Sequence, residues 1–247
     1  VFVADIESRL KSISQQYKVT LHNYFPPAQE SFVFNLASLD DEIVNKSMDH
    51  AKCVIDLTSL VGSKYYSFHA GYLIDPLVDE LGKKINQRKI NDRDESKCVF
   101  IKRVNELSRY AYSKGIELLI ENNVLSYKNH NEFKVNPLLM VDKEETDEIV
   151  SRTDSNVGLL IDVAHLKVSA NTLGFSAEDY LMNFQDTVKA YHLSDNQGLD
   201  DSNDVISNDS WFWSYLNPNL DYYSLEVYNS SAQTLRRQLD LTMANLG

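Results

Sequence analysis

The sequence predicts an α/β fold, a (β/α)8 barrel of which six strands are legible, in a single domain over 1–247. Three observations predict it. Segments with helical spacing alternate with short apolar runs such as Leu159-Leu160-Ile161, the signature of a parallel sheet covered by helices. Connections from helix into strand are minimal, Gly62-Ser63-Lys64 or Gly115 alone, whereas those from strand into helix are long, about 70–96, 122–142 and 194–220. Each strand also closes on a residue that is costly to bury unless something pairs with it.

In order, Ile6, Leu10, Ile13 and Tyr17 fall at spacings of three and four and predict an amphipathic helix over 5–17. A strand from Val19 to Phe25 follows and is stopped by Pro26-Pro27. The second helix, 41–61, carries Ile43, Met48, Ala51, Val54 and Ile55 and ends at Gly62, where a left-handed cap is easy. Strand Tyr65–His69, a helix over 97–114, strand Ile116–Glu121, a shorter helix over 143–152 and strand Gly158–Asp162 come next. A helix then opens at Ser176, with Asp179 placed to return a capping bond, before strand Ala190–Leu193. Strand Tyr222–Val227 and a helix from about Ser230, with Leu235 and Leu239 on one face, complete the series. An eight-stranded barrel requires two more strands, so the first two are expected to be lacking or truncated in this chain, or to reside in Val1-Phe2-Val3 and something unseen. The rival arrangement, an open flavodoxin-like sheet, gathers ligands at one switch point and has no need of a charged residue at every strand end.

The 36 acidic against 24 basic residues give a net charge of −12, which repels nucleic acid and anionic lipid. No nucleic-acid or membrane partner is expected. No apolar run is long enough to span a bilayer, no signal-peptide pattern opens the chain, and Cys53 and Cys98 are far apart without metal-site spacing. A cytoplasmic location fits best. The stretch 79–97 contains eleven charged residues and reads as a solvated loop, although its place after a strand leaves room for a lid.

The strand ends are His22, His69, Glu121, Asp162 with His165, His192 and Glu226. Four of the six histidines fall here; His50 and His130 do not. A single such histidine is more readily a hydrogen-bonded structural residue than a ligand. Jointly they are harder to dismiss, because a closed barrel brings all strand ends within reach of one central point. Three carboxylates and an imidazole on four successive strands repel one another or take up protons unless a cation joins them. The set suits one divalent ion, Mn, Mg or Co, with Zn in range if further histidines join.

The segments LIENN around Glu121, LIDVAH around Asp162 and His165, YHLSDN around His192 and SLEVYN around Glu226 resemble the xylose-isomerase-like TIM barrel superfamily, the sugar isomerases and epimerases with their endonuclease relatives. LHNYFPP and YSFHAGYLIDP resemble a subgroup of sugar phosphate isomerases/epimerases, and the likeness covers about 5–245. By this resemblance the six strands match the third to the eighth of the family barrel. It implies that Glu121, Asp162, His192 and Glu226 bind one metal, that Glu121 and Glu226 act as acid and base on opposite faces of the reacting carbon, and that His22, His69, His165 and Asp195 contact substrate. The implied reaction is isomerisation or epimerisation of a small-molecule sugar or sugar phosphate, by proton transfer through an enediolate beside a polarised carbonyl. Barrels of this kind often pair through loops on the active-site side, so a homo-oligomer is compatible with the sequence.

Two departures stand out. The epimerases place an arginine six residues after the strand-seven histidine, and here that position is Gly198. The abasic-site endonucleases use further ligands matched by His22, His69, His165 and Asp201, but the histidine expected two residues after Asp201 is Asn203. An amide is a poor metal ligand beside imidazole. The endonuclease is therefore the alternative function, and a sugar-binding barrel without catalysis is a third. Lys83, Lys84, Arg88, Lys89 and Arg93 read as loop charge rather than a phosphate site. Tyr24, Phe25, Tyr72, Trp211 and Trp213 fall on the loop face, where they stack on a sugar ring or serve as loop packing.

Overall fold

The computed structural model describes residues 5–247 other than Gly82 and Asn229, so Val1-Phe2-Val3 lies outside the described residues. In chain order the elements are α1 (Ile6–Ser14), β1 (Leu21–His22), α2 (Asp41–Leu60), β2 (Tyr65–His69), α3 (Arg93–Tyr112), β3 (Glu117–Glu121), α4 (Tyr127–Phe133), α5 (Lys143–Ser151), β4 (Val157–Asp162), α6 (Val163–Leu173), α7 (Ala177–Asn183), β5 (Val188–Leu193), β6 (Tyr222–Leu225) and α8 (Ala232–Leu246). The six strands form one parallel sheet in sequence order.

The sheet is curled. The rings of Tyr65 on β2 and Tyr222 on β6 lie 5.8 Å apart although three strands separate them in the sheet, and the imidazoles of His22 on β1 and His192 on β5 lie 4.9 Å apart. The architecture is a partial (β/α)8 barrel with β1 and β6 at its edges.

Side chains along a strand alternate between its two faces. One parity, with Tyr66 and Phe68, Leu118 and Ile120, Leu159 and Ile161, Tyr191 and Leu193, packs outward in the main core with helix residues such as Val54, Ile55, Val104 and Leu107. The other parity points inward, where Tyr65, Leu119, Leu160 and Ala190 make a small second cluster with Tyr222 against it. Two residues further along, the same inward parity delivers Glu121, Asp162 and His192, and four residues beyond Tyr65 it delivers His69. That step of two explains why strands apolar on both faces end in charge: the barrel axis is filled by carbon below and by polar groups at the mouth.

Several boundaries differ from the sequence expectation for local reasons. Strand β1 keeps only Leu21–His22 of the expected Val19–Phe25, because Asn23 turns into the left-handed region (φ 47°) while its N–H still reaches Ser67 O. Helix α3 starts at Arg93 because the Asp92 carboxylate accepts from Glu95 N. The helices α4 and α6 were not anticipated. Helix α6 follows β4 with no connecting residue, since Asp162 ends the strand and also caps the helix, accepting from His165 N at 2.7 Å. On α8 the expected apolar face of Leu235 and Leu239 points to solvent, and the helix is tied down by Gln238, which bonds both the N–H and the C=O of Ile206.

The charged stretch 79–97 is built rather than loose. Its end, from Arg93, is helical, and buried Glu80 accepts from Leu77 N, Asn86 N, Asn86 Nδ2 and Arg88. Ile85 belongs to a separate apolar cluster with Tyr72, Ile74, Leu125, Phe133 and Leu138 that gives the loops after β2 and β3 a core of their own. Among the described residues no helix is long and apolar enough to cross a membrane.

Candidate metal centre

The ladder registers set the site. His69 pairs with Glu121, Asp162 pairs with His192, and Glu226 extends β6 by giving its N–H to Leu193 O. One ligand atom from each of Glu121, Asp162, His192 and Glu226 lies within 4.8 Å of the others. A second group, His22, His69 and Glu121, meets the same criterion and shares Glu121 with the first. All six strand-end positions read from the sequence therefore converge.

Glu121 is fully buried in a nest of imidazoles. Its Oε2 faces His69 Nδ1 at 3.1 Å and His22 Nε2 at 3.3 Å, and its Oε1 accepts from His192 Nδ1 at 3.1 Å. The same His192 nitrogen lies 2.8 Å from Glu226 Oε2 and 3.9 Å from Asp162 Oδ2. One N–H cannot serve three carboxylates. Glu121 Oε2, Asp162 Oδ2, Glu226 Oε2 and His69 Nδ1 are accordingly buried without an aligned hydrogen bond. His22 is turned the same way: its Nδ1 lies 2.9 Å from Ser67 Oγ, and its Nε2 faces the cluster.

The electrostatics are those of a site assembled for a cation. Burial alone pushes the Glu121 carboxyl upward, but the imidazoles of His69, His192 and His22 outweigh it and hold the group well below the usual range. Burial pushes the Asp162 carboxyl up to about 7, with Glu121 and Glu226 adding to the rise. Burial would lower the His192 imidazole, yet Glu121 and Glu226 raise it to about 10; burial prevails at His22, which falls to about 4. Three ionised carboxylates at such spacing repel by about 3 kcal/mol per pair at an effective dielectric constant near 20. Orphaned lone pairs, a hard oxygen-rich donor set and this repulsion together fit a divalent cation held by Glu121, Asp162, His192 and Glu226.

Binding of such an ion must displace protons. With His192 titrating near 10 and Asp162 near 7, titration of the metal-free protein with Mn²⁺ is expected to release about one proton at pH 8 and about two near pH 6. Calorimetry in buffers of different ionisation enthalpy checks it. The metal-free fold has the matching dependence. A histidine whose folded value is raised contributes stability that is complete below 6.5, and this is lost as pH rises through about 10.

Around the cluster, the structure sorts the remaining candidates. His165 gives Nδ1–H to Asn122 O at 3.0 Å and Nε2 to Asp201 Oδ2 at 3.2 Å, and although burial opposes its charge, Asp162 and Asp201 hold it protonated well above the ordinary range. Asp195 is a correction. Its carboxylate is used by Lys167 Nζ, Asn196 N and Ser210 Oγ to fold the 194–220 connection, so it does not join His22, His69 and His165. Gly198 is left-handed (φ 73°), and a Cβ there would come within 2.8 Å of Asn171 Nδ2, so an arginine at this position does not fit the present backbone. Asn203, at φ 50°, accepts from Ser194 Oγ and gives Nδ2 to Asp201.

Sequence reasoning missed Asn122 and Asn123. Asn122 exchanges hydrogen bonds with Asp162 N and O, locking the ends of β3 and β4 together, and Asn123 Nδ2 serves the carbonyls of Ala70, Gly71 and Leu139. The available signal was the pair of amides directly after the glutamate, where buried loop carbonyls need donors. Tyr228 was also missed; its hydroxyl donates to Glu226 Oε1 at 3.1 Å.

A cavity of about 560 Å³ opens onto the centre, lined by His69, His165, Asp201 and Glu226 and walled by Tyr24, Tyr72 and Tyr228. Phe25, Trp211 and Trp213 are not among its lining residues, and Trp213 spends its Nε1–H on Ser207 O. Residues 3–230 match the family model described as xylose isomerase-like TIM barrel. The chain belongs to this family. Solved structures of similar xylose isomerase-like barrel fold include a D-tagatose 3-epimerase-like protein (TM-score 0.72, 18% identity, 99% of this chain and 83% of that one). Another is a D-psicose 3-epimerase with D-tagatose from Clostridium cellulolyticum H10 (TM-score 0.63, 12% identity, 99% and 95%). A third is the IOLI protein with a binding zinc atom (TM-score 0.64, 16% identity, 98% and 82%). No curated protein matches the sequence.

Proposed function

We propose that this protein is a divalent-metal-dependent isomerase or epimerase of a sugar or sugar derivative, with Glu226 and Glu121 as the proton-transferring carboxylates. The observation that carries the reading is the convergence of Glu121, Asp162, His192 and Glu226, with buried oxygens lacking aligned partners, at a cavity of polyol size. The sugar epimerases of similar fold and the zinc bound by the IOLI protein support it.

When bound, a divalent ion here supplies Lewis-acid polarisation of a substrate carbonyl, which acidifies the adjacent C–H. The chain's own groups do the rest. Glu226 lines the cavity, and although burial opposes its charge, His192 holds its carboxyl down at about 2, so it is ionised at neutral pH and available to accept that proton. Returning the proton to the neighbouring carbon from the same face is isomerisation, for which Glu226 suffices. Epimerisation needs a second proton-transferring group on the opposite face, a role we assign to Glu121, which shares the cluster with Glu226. His165, protonated and lining the cavity, reaches a substrate oxygen by turning its Nε2–H from Asp201, and neutral His69 completes the polar wall.

The test is metal analysis of the purified protein with a panel of ketoses and ketose phosphates in deuterated water. Stoichiometric divalent metal and solvent deuterium at one carbon are expected, and no exchange into any ketose by the metal-loaded protein overturns the proposal. A second reading, a metal-dependent abasic-site endonuclease, is favoured by the His22, His69 and Glu121 group, which offers room for a second ion. Asn203 in the expected histidine position and the −12 charge argue against it. Chelator-sensitive cleavage of an abasic-site oligonucleotide would reverse the ranking.

A further inference from the structure

We propose that the substrate carries a terminal anionic group of the phosphate class, received by Lys83, Lys84 and Lys128 on the solvent side of the same cavity. The inference rests on the sugar reading above for the reacting end alone.

In a chain with twelve more anions than cations, a cavity lined by three lysines is unexpected. The structure also separates these lysines from the other cations of the 79–97 stretch. Arg88 is committed to Glu80 and Asp75 O, and Arg93 to Glu145 and the carbonyls of Asn136 and Leu138. Lys83 and Lys84 are left at the cavity, where Lys128 of α4 joins them.

The chain segments that carry the three lysines are tied together. Asn129 of α4 accepts from Ile85 N at 2.9 Å and gives Nδ2 to Lys83 O at 3.3 Å, so the lysine-bearing loop is fastened to the helix that carries Lys128. The Glu80 clamp fixes the loop from its other side. With those segments tied, an anion has only the lysine side chains left to order.

Competition from neighbouring carboxylates is weak. Among the described residues Lys83 has no carboxylate within 4.0 Å, Lys128 pairs with Asp200 through side chains that are both more than half exposed, and Lys84 pairs with a half-buried Glu132. An exposed pair such as Lys128–Asp200 is worth little, so a dianion entering the cavity competes for that ammonium as well as for Lys83. Of the other acids lining the cavity, Glu80 is occupied by Arg88, and Asp201 holds His165 and Asn203 through Oδ2 alone. With Gly198 in place of an arginine on the 194–220 connection, substrate grip shifts from that wall to the loops after β2 and β3.

The decisive measurement is calorimetric binding to the Mn²⁺-loaded protein, with three pairs of unreactive open-chain probes: glycerol and glycerol 3-phosphate, ribitol and ribitol 5-phosphate, glucitol and glucitol 6-phosphate. Inorganic phosphate serves as a probe of the lysines alone. At least one phosphorylated probe is expected to bind roughly 30-fold more tightly than its neutral partner, about 2 kcal/mol, as two modest charge contacts supply. The K83Q/K84Q/K128Q variant, folded by circular dichroism, should lose that preference and bind inorganic phosphate at least tenfold more weakly. The control K52Q/K64Q/K114Q, which alters three ion-paired lysines elsewhere, should change neither. No phosphate preference in any pair, or a preference that survives the first triple variant, overturns the proposal; a lysine-dependent preference without deuterium exchange into any ketose would leave the anion site standing and overturn the isomerase reading instead. Preference for a terminal carboxylate, tested with gluconate against glucitol, over glucitol 6-phosphate would overturn the phosphate class.

Discussion

Replacing Glu226 by glutamine is expected to slow deuterium incorporation into a ketose substrate by roughly 10²- to 10⁴-fold, the range that general acid–base groups contribute. The fold should survive, because the Glu226 side chain is partly open to the cavity, its Oε2 has no aligned hydrogen bond, and Oε1 is met by the Tyr228 hydroxyl alone. NMR-detected exchange, with circular dichroism as the control for folding, checks the outcome. Full exchange in this variant would remove Glu226 from the mechanism.

Asp162→Asn is expected to weaken Mn²⁺ binding by more than about a hundredfold, beyond the loss seen when outer-shell partners of a metal ligand are removed. The substitution is selective because the two carboxylate oxygens have separate tasks. Oδ1 caps α6, a task an asparagine carbonyl performs about equally well, whereas Oδ2 faces the cluster with no aligned donor. Metal-free stability should move the opposite way. An acid whose folded value is raised contributes its favourable share below 3.8 and loses it as pH rises through about 7, so above pH 7 wild-type Asp162 is a burden that asparagine lifts. Denaturant melts at pH 8 with and without Mn²⁺ should therefore rank the two proteins in opposite orders. Equal ranking in both would remove Asp162 from the metal site.

The inward residues were legible because the barrel enforces a period of two on strands already marked by their flanks. Glu121, Asp162, His192 and Glu226 needed no geometry beyond lying at or next to the ends of their strands. Helix α6 was hidden because VGLLIDVAHL is one apolar run, in which neither period is visible and the only boundary is an aspartate that reads first as a ligand. Asp195 was misassigned for a related reason: three residues beyond His192, its carboxylate is drawn off by Lys167, 28 positions earlier, and by Ser210, 15 later. Tertiary partners at such separation leave no local pattern. The division of the loop cations between Glu80, Glu145 and the cavity was invisible likewise, since composition registers charge but not pairing.

Asn203 has a bearing on the history of such sites. Its left-handed backbone is one that histidine also tolerates, and its amide already lies 3.3 Å from the Asp201 carboxylate that His165 shares. Asparagine and histidine codons differ by a single base. The chain thus stands one point mutation from placing imidazoles on both sides of Asp201, beside the two convergent groups it has, on a backbone that already accommodates the change.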